Sequence, residues 1–267
     1  MKKLDTEYTL ITGASKGLGK AIAFELAQRN INLLLVALPN EGLEKIAGNL
    51  NNSKIIVDFK ELDISNTDER EDFLQLVKKE YRLSGLINNA GMGGNEYFLN
   101  EKLSEMHAML EVNIVAAVLC TRSLFPLLLK NKNSYILNIS SLAAFSPIAY
   151  KSVYPATKGF IHQFTLSLQE EFKNKDILIS VVHPGPMRTN NEISNRLKNR
   201  GYLTRKLTLS PDDAAKAIVR KLFKRKSIIY LHSWQRLAYI LMRIIPTPIS
   251  VLLLSRIARK ELKNRSK

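Results

Sequence analysis

Short apolar runs alternate with longer amphipathic stretches along the chain. The runs at 8–12, 32–37, 54–59, 85–88, 134–140, 178–182 and 227–231 have the length of buried strands. Between them, apolar positions recur at helical spacing over about 17–30, 41–51, 67–82, 101–130, 150–173 and 211–225. Asn66 before Thr67 and Ser210 before Pro211 act as helix start signals. Seven strands with helical stretches between them predict a Rossmann-type, doubly wound α/β fold: a seven-stranded parallel sheet flanked by helices. Composition shifts after residue 231, so the pattern divides into an α/β domain over 1–231 and a basic amphipathic tail over 232–267.

Composition narrows the function. With 267 residues, 45% apolar and 24% charged, the chain suits one large domain and is neither disordered nor fibrous. The single cysteine, Cys120, excludes a disulfide framework. The four histidines, His107, His162, His183 and His232, have no metal-ligand spacing, so no metal site is expected. The net charge of +16 would suggest nucleic acid if it were evenly spread. Instead, residues 216–267 carry 14 Lys/Arg against Glu261, while residues 1–215 carry 26 basic and 23 acidic residues. The basic residues of the tail interleave with aliphatic ones rather than forming a polar patch with stacking aromatics, which argues against nucleic acid as partner. The first ten residues lack the apolar run of a secretory signal, so a cytoplasmic location is expected.

Between the first strand and the first helix stands Thr12-Gly13-Ala14-Ser15-Lys16-Gly17-Leu18-Gly19. Glycines in such a turn let the backbone approach a ligand, and the helix that follows offers free N–H groups and its positive dipole end to a diphosphate. The TGxxxGxG spacing at 12–19 resembles the classical short-chain dehydrogenase/reductase family. Further landmarks follow in order: Asp63 in LDIS, the NNAG of 88–91, Asn113, Ser141, YPATK at 154–158, and PGPMRT at 184–189. The resemblance covers about 6–231 and implies a nicotinamide dinucleotide held by Gly13, Ser15, Lys16, Gly17, Leu18 and Gly19. Asp63 and Ile64 would lie at the adenine, and Asn89, Ala90 and Gly91 along the cofactor. Thr189 would reach the nicotinamide carboxamide, and Pro184 and Gly185, which alone read as a strand-ending turn, would also contact the cofactor.

Tyr154 and Lys158 stand four apart, so on a helix they share a face. A phenol with a pKa near ~10 exchanges protons poorly at neutral pH, and a neighbouring ammonium is expected to lower it. Tyr154 would then protonate a carbonyl oxygen as hydride arrives, or deprotonate an alcohol in reverse. The resemblance implies that Lys158 also holds the nicotinamide ribose, that Ser141 binds the substrate oxygen, and that Asn113 anchors a proton relay towards Lys158. Ser140 reads as a strand-end residue, His162 as a helix-surface or interface histidine, and His183 as local packing.

Cofactor choice rests on charge. A carboxylate at the end of the second strand would repel a 2′-phosphate, and the segment 36–40 has none. Ala37 leaves room and Lys16 can pair with the phosphate, so NADP(H) is favoured over NAD(H), although Leu38 stands where relatives often carry a second arginine. The polar, basic 190–209 segment reads as a flap over the site. The tail is apolar from 237 to 254, but Arg243, Pro246 and Pro248 interrupt it, so it should lie on a bilayer rather than cross it. Packing of 233–267 against a second subunit or over the substrate pocket is the alternative. The combined expectation is an NADPH-dependent reductase of a lipid-like 3-oxo or other ketone, peripheral on a membrane and forming a homodimer or homotetramer, as family members commonly do. A catalytically silent NADP-binding scaffold or redox sensor of the same fold is the rival.

Overall fold

The computed structural model describes residues 3–94, 96–185, 187 and 208–263. Seven parallel strands form one sheet: β1 Glu7–Thr12, β2 Asn32–Ala37, β3 Val57–Glu61, β4 Arg82–Asn88, β5 Ser134–Ile139, β6 Ile177–Val182 and β7 Ile228–Ile229. Their order is β3-β2-β1-β4-β5-β6-β7, so the winding direction reverses between β1 and β4. The helices are α1 Gly17–Ala27, α2 Leu43–Leu50, α3 Thr67–Glu80, α4 Leu103–Leu110, α5 Ala116–Leu129, α6 Val153–Glu171, α7 Pro211–Phe223, α8 Ser233–Ile244 and α9 Thr247–Lys263.

Both sheet faces are covered, which is why β2 reads as an unbroken apolar run. Leu33, Leu35 and Ala37 point into one core with α1, α2 and α7, whereas Leu34 and Val36 point into the other with α3 and α5. Below the site, polar side chains cross the sheet as a hydrogen-bonded chain. Asn88 Nδ2 donates to Asn138 Oδ1 at 2.8 Å and Asn138 Nδ2 donates to Thr165 Oγ1 at 2.9 Å, which ties β4, β5 and α6 together.

The boundaries depart from the expected ones for local reasons. β3 begins at Val57 because Asn52 Oδ1 accepts from Lys54 N and Ile55 N, holding that stretch in a turn. α6 begins at Val153 because Tyr150 has φ +66°, outside the helical region. β7 has two residues rather than five. The expected single helix over 101–130 is interrupted by a π-helical turn at Glu111–Val115.

Candidate active site

A cleft of about 610 Å³ opens where the strand order reverses, the place at which open α/β sheets take ligands. Gly13, Ser15, Lys16, Gly17 and Leu18 form one wall, Asp63 and Ile64 another, and Asn89, Ala90 and Gly91 a third. Gly13 adopts φ +66°, and a Cβ on Gly19 would stand 2.2 Å from the Gly13 carbonyl oxygen, so the turn tolerates no side chain there. Its anchor is Thr12, the first residue of the TGxxxGxG motif, to which the sequence reading gave no role. Thr12 Oγ1 accepts from Asn89 N at 3.1 Å and Ala90 N at 3.0 Å, and Asn89 Nδ2 returns bonds to the Thr12 and Gly13 carbonyls, each at 2.9 Å.

These residues fit a dinucleotide diphosphate. The α3 and α7 N-termini are capped by Asn66 and Ser210, but α1 has no side-chain cap and no acid in its first turn. Its free N–H groups and dipole point into the cleft. The wall with Asp63 is rigid: Asp63 Oδ1 accepts from Ser65 N and Ser65 Oγ, and the buried Arg70 donates to the carbonyls of Ile64 and Ser65 at 3.1 and 3.2 Å.

The cleft also holds an acid the sequence reading missed. No carboxylate lies in 36–40, but Glu41 reaches back to Lys16 and Ser15, accepting a hydrogen bond from each. Burial alone would raise its carboxyl, but the Lys16 and Ser15 bonds and the Lys16 charge outweigh that and hold it below its usual value. Lys16, expected to meet a 2′-phosphate, is paired with Glu41.

Across the cleft, Ser141 caps the short 3₁₀ turn at Leu142–Phe145, and Tyr154 and Lys158 project together from α6. Ser141 stands close enough to the Tyr154 phenol to offset part of the effect of its burial. Lys158 is buried and donates to the Ile139 carbonyl at 3.0 Å, with Nζ 6.0 Å from the Tyr154 ring centroid. This corrects the expectation of a lowered phenol. Burial pushes Tyr154 above its ordinary value despite the nearby Ser141, while burial brings Lys158 down to about 8. Ser140 donates to the Lys158 backbone carbonyl and so holds β5 to α6.

Asn113 sits in the π-helical turn and is buried. Its Nδ2 donates to the Met92 carbonyl at 2.9 Å and Thr157 Oγ1 at 3.0 Å, and its Oδ1 accepts from Met92 N at 2.9 Å. It therefore clamps the chain beyond Gly91 to the residue preceding Lys158. A mid-helix π turn is a recurrent mark of functional sites, and its signal is geometric rather than compositional.

Pro184 accepts from Leu142 N at 3.1 Å, bringing the end of β6 to the Ser141 turn, and Gly185 lies between Leu142 and Gln235. Thr189 and residues 190–207 of the flap expected over 190–209 lie outside the described residues. His162 is not at the surface as expected. It is buried, its Nδ1 lies 3.1 Å from His183 Nε2, and Phe145, Tyr230 and Tyr239 surround the pair.

Comparisons with known proteins agree with this geometry. Residues 7–200 match the short chain dehydrogenase family. The chain belongs to that family, as an oxidoreductase acting on hydroxyl or carbonyl groups. It is 30% identical, over 86% of its length and 92% of the relative's, to the NADP-dependent 3-hydroxy acid dehydrogenase of Schizosaccharomyces pombe. It is 31% identical to the very-long-chain 3-oxoacyl-CoA reductase of Anas platyrhynchos, over 66% of this chain and 58% of that protein. A short-chain dehydrogenase from Sphingobium yanoikuyae, solved in complex with NADPH, superposes with a TM-score of 0.76 at 26% identity, covering 90% of this chain and 96% of that one. The chain therefore binds a nicotinamide cofactor.

Proposed function

We propose that this protein reduces a ketone of a lipophilic, 3-oxo-type substrate with NADPH. The observation that carries this reading is the grouping of Ser141, Tyr154 and buried Lys158, with Lys158 Nζ beside Gly91 of the nucleotide cleft. The bound nicotinamide supplies the hydride. Ser141 orients the substrate oxygen, and the phenol of Tyr154, kept protonated by burial, donates its proton to that oxygen. Lys158 as an ammonium stabilises the phenolate left behind. Asn113 holds the backbone from which a proton can return towards Lys158.

Two features support the substrate class. An apolar pocket of about 490 Å³ lies between the segment after Ser141 and the start of α6, walled by Phe145, Pro147, Ile148, Pro155 and Val251. Relatives are named for 3-hydroxy acids and 3-oxoacyl-CoA esters. NADPH is favoured because Lys16 is positioned for a 2′-phosphate once Glu41 releases it, and a related structure holds NADPH. Exposed Leu110 and Leu119 on the α4–α5 rod and Phe160 on α6 support pairing of copies into a homodimer or homotetramer.

The test is NADPH oxidation across small diketones and 3-oxoacyl thioesters of increasing chain length. Turnover should rise with chain length, and Tyr154→Phe should lose about 10²–10⁴-fold in kcat with its fold intact. Undiminished turnover in Tyr154→Phe would overturn the mechanism. Tight NADPH binding without turnover on any substrate would favour the silent scaffold.

A further inference from the structure

The tail helices turn a row of large aliphatic side chains away from the domain. Where α8 and α9 meet the domain, polar groups stand beside Tyr239, which packs against Phe145 and His162, and Val251. Gln235 is buried, its Oε1 accepting from Leu231 N at 2.7 Å. Ser250 is buried, 3.0 Å from Ser146 Oγ, and Ser255 Oγ accepts from Ala149 N at 3.0 Å. Arg259 donates to the Tyr150 hydroxyl at 3.0 Å. On the opposite faces lie Leu237, Ile240, Leu241 and Ile244 of α8 and Ile249, Leu252 and Leu253 of α9, each between 42% and 72% exposed. Their spacings of three and four residues make one apolar stripe on each helix.

Single exposed aliphatics are ordinary, but two stripes on consecutive helices require an apolar covering. Charge decides what covers them. Arg236 and Arg256 are exposed beside the stripes, and 216–267 carries 14 basic residues against one acid. A second copy meeting this face about a two-fold axis would bring the same positive charges against themselves. An anionic lipid surface supplies both the apolar covering and the opposite charge. We infer that α8 and α9 lie in the interface of an anionic bilayer, with these aliphatic stripes inserted and the opposite faces kept on the domain. Val251 of the same tail lines the apolar cavity, so the attached enzyme would hold that cavity against lipid. The inference rests on the two faces of the tail and not on the proposed reaction.

The test is co-sedimentation of the full-length protein with vesicles of phosphatidylglycerol and phosphatidylcholine, and with phosphatidylcholine alone, without substrate. The wild type should bind the anionic vesicles, weakly the neutral ones, and less as salt rises. Leu237→Gln/Ile240→Gln/Ile244→Gln should lose at least tenfold in partitioning while its melting temperature and NADPH binding stay at wild-type values. Arg236→Gln and Arg256→Gln should each cost up to about fivefold. Absence of wild-type binding, or equal binding by the triple variant, would overturn the inference. So would a solution dimer that the triple variant dissociates, because a second copy would then be the covering.

Discussion

Helix α7 and the tail helices α8 and α9 are near neighbours in sequence and follow opposite rules. In α7, Ala214, Ala215, Ile218, Val219 and Leu222 are buried against the sheet and α1, and the charged residues face water. Ten residues later, α8 buries Gln235 and exposes Leu237 and Ile244. The hydrophobic stripe that makes a helix predictable therefore does not say what the stripe meets. In α7 the fold supplies the apolar partner; in the tail, hydrogen bonds and the ring contacts of Tyr239 set the docking and the stripe is left outside.

Substitution can break this comparison. Ile218→Ala should cost about 2–5 kcal/mol in urea unfolding, because a buried side chain is lost into a cavity. Ile244→Ala, without lipid, should stay within about 0.5 kcal/mol, because that side chain is 72% exposed. Similar costs at the two positions would show that the tail stripe is packed after all.

Acid should act next most strongly, where the tail meets the domain. Burial and the neighbouring His162 bring His183 down to about 3. The unfolded chain then binds a proton that the folded chain refuses between the ordinary imidazole value and about pH 3. Stability should therefore be complete above roughly pH 6.5 and fall as pH drops towards 3. Thermal melting across pH 4–7 should show this fall in the wild type, with a shallower slope in His183→Asn. Equal slopes would place the acid sensitivity elsewhere.

The smallest expected effect lies in the nucleotide cleft. Glu41→Gln removes the charge that competes for Lys16, and NADPH affinity should rise several-fold in a fluorescence titration while NADH affinity changes less. A loss of NADPH affinity would mean that Glu41 positions Lys16 rather than competing for it.

Much of this was legible in the chain. Strands β1, β2 and β6 lie where unbroken apolar runs predicted them, because burial on both faces leaves little room for polar residues. The spacing of Tyr154 and Lys158 placed them on one helical face, and Ser141 reached them across the turn. What escaped depends on the third dimension. Glu41 lies beyond the end of β2 and folds back, Thr12 acts through a hydroxyl that apolar periodicity ignores, and the rise of Tyr154 reflects how deeply its phenol is set. His162 went unrecognised as a core residue because α6 faces its partner His183 only through the sheet order.

The π turn at Glu111–Val115 has a consequence for spacing as well as chemistry. An α-helix advances about 100° per residue, so one widened turn resets the angular phase of everything after it. Residues ahead of the turn, such as Met109, and residues behind it, such as Cys120 and Leu124, are thereby each aimed into the interior from one rod with two phases. Removing a single residue within 111–115 would restore a regular helix and turn Asn113's neighbours out of register with Met92 and Thr157. At this position chain length is itself a functional property, and a deletion would do more harm than most substitutions.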